Sequence, residues 1–227
     1  MNSNISRGLL ALTLSAALPA LSQAQTAGSW LIQGGLTQVT PQVSSGNLSA
    51  PAPGGTQTDV RSDLQPTGQI TYFHTDHIAF AVPLGTGFQH DIVGKGAIDG
   101  VGVIGTVRAL PITAYAQYRL GQPDAQVRPY LSVGASYVSF SDEQGSATLN
   151  GINPANPPGG STQLQVDSKW ALNAGAGVTI ALAPRWYLDV MVSKTFLKTR
   201  TTLSTGQTLD AGLDPVSLSL GLAYRFK

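Results

Sequence analysis

The chain has 227 residues, of which 42% are hydrophobic and only 11% charged, with no cysteine and a formal net charge of +1. Soluble domains carry about 25% charged residues, so this chain is poor in charge without being rich in apolar side chains. The charge balance gives no case for a nucleic-acid partner, and the missing cysteines exclude disulfides and thiolate metal sites.

In chain order, Arg7 comes first, followed by the apolar run GLLALTLSAALPALS and the small residues of SQAQ. This is the pattern of a secretory signal peptide. Cleavage is expected after Ala24, which leaves residues 25–227 as a single mature domain. The apolar run is too short for a transmembrane helix, which needs about 20 residues. No later stretch is long enough, so any membrane crossing must be made by strands.

Eight segments of the mature chain alternate with period two: 28–39, 64–74, 77–84, 110–120, 128–140, 170–182, 185–196 and 216–226. The last is the clearest. Val216, Leu218, Leu220, Leu222, Tyr224 and Phe226 share one face, and Ser217, Ser219, Gly221, Ala223 and Arg225 share the other. All but the third reach the length that a tilted strand needs to cross a bilayer, about 9–11 residues. The gaps alternate in length. TD, GQPDAQ and APR are short, whereas 40–63, 85–108, 141–168 and 198–213 are long and rich in Gly, Ser, Pro and Asn. Short periplasmic turns and long outer loops predict an all-β fold, an eight-stranded antiparallel transmembrane β-barrel. Lipid cannot satisfy an open sheet edge, so the last strand must pair with the first. A barrel closed in this way needs no second copy, and a monomer is expected. Side chains nearly fill a barrel of eight strands, which leaves at most a narrow passage.

Threading the strands up and down from the periplasm sorts the aromatic residues of the apolar faces. Trp30, Tyr72, Tyr118, Trp186, Tyr224 and Phe226 fall near the periplasmic ends, and Tyr137, Trp170 and Phe196 near the outer ends. Two belts of this kind are expected where amphipathic rings meet lipid headgroups. The leucines of the last segment are therefore read as facing lipid.

The segments TYFHTDHIAFAV, FQHDI, LPITAYAQYRL, RPYLSVGASYVSF and DPVSLSLGLAYRF resemble, in order, those of the OmpW family of outer-membrane proteins. The resemblance spans nearly the whole mature chain. It implies a narrow, largely hydrophobic channel in the outer membrane of a Gram-negative bacterium, serving passive uptake of small hydrophobic molecules. It also implies alkane uptake in the AlkL branch, and weak ion conduction or bacteriocin reception in some members. Outer-membrane lipid, lipopolysaccharide and the barrel-assembly machinery are the implied partners. The family's terminal aromatic assembly signal corresponds here to Phe226, which is followed by Lys227 and is therefore penultimate.

On the opposite face, Arg119, Arg128, Asp189 and Arg225 fall near the periplasmic end. A buried charge needs a partner, so Asp189 is expected to pair with Arg225 or Arg119. The cluster is either a charged constriction or a packing network, and in both cases it plugs the lower barrel. A hydrophobic solute would then have to leave sideways through the wall. Gln33, Gln69, Thr71, Gln117 and Asn173 line the interior above, with room for a cavity. Pro83 has no N–H to give to a ladder and marks either a wall opening or a local bulge. Phe88 and Ile92, in the second long loop, are apolar enough to form a mouth or to pack on the rim.

No cofactor, metal site or enzymatic activity is expected. His74, His77 and His90 are the only histidines, they do not converge along the predicted strands, and no nucleophile–base–acid spacing accompanies them. The rival function is a non-transporting barrel that acts as adhesin, receptor or anchor through its outer loops; a weak ion channel lies between the two.

Overall fold

A computed structural model describes residues 24–226. The expected signal segment lies outside the described residues, apart from Ala24. The strands are β1 (Trp30–Thr40), β2 (Ser44–Ser45), β3 (Thr56–Val60), β4 (Asp63–Phe73), β5 (Ile78–Leu84), β6 (Phe88–Gly96), β7 (Val103–Arg119), β8 (Val127–Gly145), β9 (Leu164–Val166), β10 (Lys169–Ala183), β11 (Trp186–Phe196), β12 (Lys198–Leu203), β13 (Thr208–Gly212) and β14 (Val216–Phe226). One short helix, α1 (Ala147–Ile152), follows β8.

The wall is a closed antiparallel barrel of eight strands, in which β5 and β6 together form one bent strand. Closure is made by β14 on β1, in register from Trp30 opposite Phe226 to Thr40 opposite Val216. No backbone edge is left along that seam, as lipid requires. The alternation in the sequence becomes the two faces of the wall. Ile32, Leu36, Phe80, Val82, Ile112, Leu131, Val133, Leu172, Val192, Leu218, Leu220 and Leu222 point outward, while Leu31, Thr71, Ala81, Gln117, Ser132, Asn173 and Ala223 are buried within. Among the described residues no helix is long and apolar enough to cross a membrane.

The aromatic residues at the two rims touch one another. At the periplasmic rim Trp30 lies 4.7 Å from Tyr72, Trp186 lies 5.0 Å from Tyr224, and Tyr224 lies 4.9 Å from Phe226. Tyr118 stacks on His77 at 6.0 Å. At the outer rim Tyr137 meets Trp170 at 5.3 Å, and Phe196 carries the Lys194 ammonium at 5.6 Å.

The outer segments differ most from expectation. Residues 85–108 are not a long loop. They form β6, a turn and the first residues of β7, paired from Phe88 opposite Ala109 to Val93 opposite Val103. Strand β8 likewise continues to Gly145, and 198–213 is a hairpin of β12 and β13 in a second, four-stranded sheet with β2 and β9. The physical reason is burial. Ile104, Val107, Leu149, Leu164, Val166 and Leu203 form an apolar cluster above the membrane, and extended strands present it inward while their backbone groups pair in ladders. Helix α1 contributes Leu149 to this cluster, and its first turn is capped by the Ser146 hydroxyl, which accepts from the Leu149 amide. Outward-facing residues mark where lipid ends: Phe80, Val82 and Leu84 on β5 give way to Gln89, Asp91 and Lys95 on β6.

Candidate functional site

The barrel interior is layered, and each layer follows from the inward residues of its strands. At the base, Leu31, Phe73, Ala79, Tyr187 and Ala223 form an apolar plate. Arg119, Arg128 and Asp189 are almost fully buried beside it, and Arg225 is largely so. Asp189 does not meet Arg119 directly, contrary to one of the two expected pairings. Arg119 Nη1 donates to Thr179 Oγ1 at 2.6 Å, and that hydroxyl donates to Asp189 Oδ2 at 2.7 Å. Tyr130 donates to Asp189 Oδ1 at 2.8 Å. The Arg119 guanidinium also donates to Gln117 at 2.6 Å and sits 4.0 Å from the Tyr130 ring centre. A relay through a hydroxyl replaces an ion pair because the Tyr130 and Thr179 side chains stand between the charges. Arg128 and Arg225 turn to main-chain carbonyls: Arg128 to Gln25 at 2.9 Å and to Asp76, and Arg225 to Ala24. Gln25, the first residue of the expected mature chain, is almost fully buried at the base.

Above the base, Ala81, Tyr115, Tyr130 and Met191 pack together at the waist. Two glycines make this possible. Tyr130 lies opposite Gly177 and Tyr115 opposite Gly134 in their ladders. A Cβ on Gly177 would come within 2.3 Å of the Tyr130 ring, and one on Gly134 within 2.7 Å of Tyr115. The inward aromatics Phe73, Tyr115, Tyr130 and Tyr187 went unnoticed in the sequence, although each sits on the small or polar face of its strand. Large rings on that face, with glycine on neighbouring strands, are the signal that could have found them. They fill the lower part of the interior, and room for a cavity remains above them.

Above the waist the lining is polar and neutral. Thr37 bonds Thr67 at 2.7 Å and Ser219 at 2.9 Å, and Gln69 donates to Thr71 at 3.2 Å. Asn173 donates to Ser136 at 2.8 Å and accepts from Thr195 at 2.6 Å. Here lies a cavity of about 100 Å³ bounded by Gln33, Gln69, Thr113, Tyr115, Met191 and Ser219. Its lining also includes Pro83, Leu84, Gly85 and Gly87. These residues belong to the stretch where the wall is not laddered to β7. β5 pairs with β7 only from Ile78 opposite Tyr118 to Ala81 opposite Tyr115, and pairing resumes with β6 at Phe88 opposite Ala109. Pro83 sits in the middle of this interruption while still lying opposite Gln69 of β4 on its other side.

Over the small cavity is a larger one of about 180 Å³, mostly apolar, reaching the outer cluster through Ile92, Ile104, Val107, Phe140 and Leu149. The two cavities share Val39, Phe88, Pro111 and Ser217 in their linings. Phe88 is buried and Ile92 partly so, on a strand and not on a loop. His90 also lines the larger cavity, and its Nδ1 bonds the Arg61 carbonyl at 2.8 Å. Burial pushes the His90 imidazole below its usual range, against the opposing pull of that hydrogen bond and of Asp63 and Asp91. His74 and His77 lie far from it, at the periplasmic turn, where His77 bonds the Arg119 carbonyl. Among the described residues no three His, Cys, Asp or Glu side chains gather as metal ligands.

Residues 26–226 match the model of the OmpW family. The chain belongs to that family. The OmpW-family barrel is 30% identical to outer membrane protein W of Vibrio cholerae over 93% of this chain and 96% of the relative. It is 27% identical to outer membrane protein W of Escherichia coli over 95% and 97%. Its fold matches the crystal structure of the outer membrane protein OprG from Pseudomonas aeruginosa with TM-score 0.79 and 25% identity, covering 90% of this chain and 98% of that one. It also matches the outer membrane protein AlkL in lipid bilayers with TM-score 0.65 and 23% identity, over 100% and 97%. The OmpW-family barrel is accordingly an outer-membrane protein of a Gram-negative bacterium.

Proposed function

We propose that this barrel carries small hydrophobic molecules passively from the cell exterior into the outer membrane. Family membership and the likeness to OprG and AlkL support a channel or transport role. The observation that carries the finer reading is that the two cavities share lining residues. The apolar upper cavity adjoins the lower one at Phe88 and Pro111, and the lower one reaches the unladdered segment Pro83–Gly87. Below it, the buried Tyr115–Tyr130–Met191 layer and the Arg119–Thr179–Asp189 relay support a closed lower axis. A solute that enters the apolar mouth loses little on leaving water, because the hydrophobic effect favours its burial. It cannot continue downward past buried charge, and the interrupted wall is its way out into lipid.

The test uses a strain lacking the gene, with and without the barrel restored. Uptake of a labelled alkane is compared with that of a matched hydrophilic solute. The reading requires faster uptake of the alkane alone. Equal rates with and without the barrel would favour an adhesin, receptor or anchor. The route is tested with Val82→Cys and Ala114→Cys, placed just beyond the last paired residues Ala81 and Tyr115 in a chain without other cysteines. An oxidised pair should slow alkane uptake and reduction should restore it. Unchanged uptake with the disulfide fully formed would refute the lateral route.

A further inference from the structure

The upper cavity contains one ionisable side chain, His90, among a lining that is otherwise apolar or neutral. Its environment fixes the tautomer. Nδ1 lies 2.8 Å from the Arg61 carbonyl, and a carbonyl only accepts, so Nδ1 carries the proton. In the neutral ring Nε2 then bears a lone pair. Among the described residues nothing in the protein donates to it. The ring itself is held by stacking on Phe88 at 6.4 Å and by burial to 5% exposure. The other polar groups of the lining are threonine and serine hydroxyls and the Asn153 amide, weaker acceptors than an imidazole nitrogen, and three of the hydroxyls donate within the protein. Thr56 donates to Pro53, Thr195 to Asn173, and Thr199 to the Asp167 carbonyl.

From this we infer that His90 Nε2 is a hydrogen-bond acceptor for solute in the upper cavity, and that the site selects apolar molecules carrying a single hydroxyl donor, such as phenols and long-chain alcohols, over equally apolar ones without a donor. The inference rests on the uptake reading above and narrows its substrate class. The physical reason is an asymmetry. A donor that leaves water for an apolar cavity loses a hydrogen bond, and an acceptor placed there restores it. A pure hydrocarbon gains nothing from the imidazole, and an ether, which only accepts, meets a lone pair facing its own.

The test uses p-cresol and 4-methylanisole, which share a methylated ring and differ in the donor. Both are titrated into the full barrel in lipid nanodiscs, with concentrations corrected for partition into the lipid. The three histidines are labelled with nitrogen-15, and the methyls of Ile104 and Val107 report occupancy of the cavity. The wild-type barrel should show His90 with a protonated Nδ1 and a bare Nε2, and p-cresol alone should move the Nε2 resonance. Its dissociation constant should be lower by about fivefold, the worth of one net hydrogen bond. In His90→Phe that difference should vanish while 4-methylanisole binding stays. Equal affinities for both probes in wild type, with both moving the Ile104 and Val107 methyls, overturn this inference and leave the uptake reading standing. No methyl response to either probe overturns both. The wild-type comparison decides the matter even if the variant does not fold.

Discussion

Tyr130 rests its ring on Gly177 across the β8–β10 ladder and donates its hydroxyl to Asp189 at 2.8 Å. One side chain therefore fills the waist, stacks with Arg119 and supplies one of the two hydrogen bonds to the carboxylate. Tyr130→Phe keeps the ring and removes the bond to a charged acceptor. It should destabilise the barrel by about 1.5–3 kcal/mol. Gly177→Ala leaves the Tyr130 hydroxyl in the sequence but drives a methyl against the ring and that hydroxyl, at a cost of about 1–3 kcal/mol. The two effects should not add, because both act on one ring. Reversible urea unfolding in lipid vesicles measures all three; strict additivity would show that ring and glycine are uncoupled.

Asp189 is the carboxylate beside a fully buried Arg119, to which it connects through Thr179. Asp189→Ala leaves that guanidinium without its counter-charge, and the expected loss is about 3–5 kcal/mol. Asp210→Ala breaks a bidentate pair with Arg200 that is open to solvent and should have little effect. The same unfolding assay compares the two. Equal losses would mean that the base does not depend on Asp189.

Leu220 lies midway along β14, opposite Leu36 on one side and Val190 on the other, and is 52% exposed to what is lipid in the membrane. Leu220→Arg should cost roughly 2–4 kcal/mol, as for cations at the midplane of other barrels. A near-neutral result would place this face inside the barrel and reverse the reading of every strand.

His90 stands above the lipid-facing band, and burial lowers its pKa below 6.5. The sign of the pH effect follows. Above about pH 6.5 the group is neutral in folded and unfolded chains alike, and it contributes no pH dependence. As the pH falls below 6.5 the unfolded chain binds a proton that the folded one resists, so stability declines down to the folded pKa and then levels off. A nitrogen-15 titration of the labelled histidines should place His90 at a midpoint below 6.5. A midpoint at or above that value would contradict a desolvated ring.

The period-two alternation of segments such as 170–182 and 216–226 was enough to specify a lipid-facing wall, its closure and its rim aromatics. The reason is local: side chains alternate across a strand whatever its neighbours do, and water or lipid sorts the two faces. The same alternation put Arg119, Arg128, Asp189 and Arg225 inside. It could not say how they would meet, because Thr179 and Tyr130 come from other turns of the ladder and only the register between strands sets them between Asp189 and Arg119. Nor could it extend β6, β7 and β8 above the membrane. Their outer halves lack a clean period-two alternation and look like loops until Ile104, Val107, Leu149, Leu164 and Leu203 are brought together from four separate segments. Pro83 signalled a weak ladder, but the length of the break depended on where β6 could pair with β7 again, at Phe88 opposite Ala109. Strand content and sidedness were thus carried by the sequence itself. The hydrogen-bonded base, the adjoining cavities and the interrupted wall came from contacts between residues far apart in the chain, which only the closed tertiary structure brings into range.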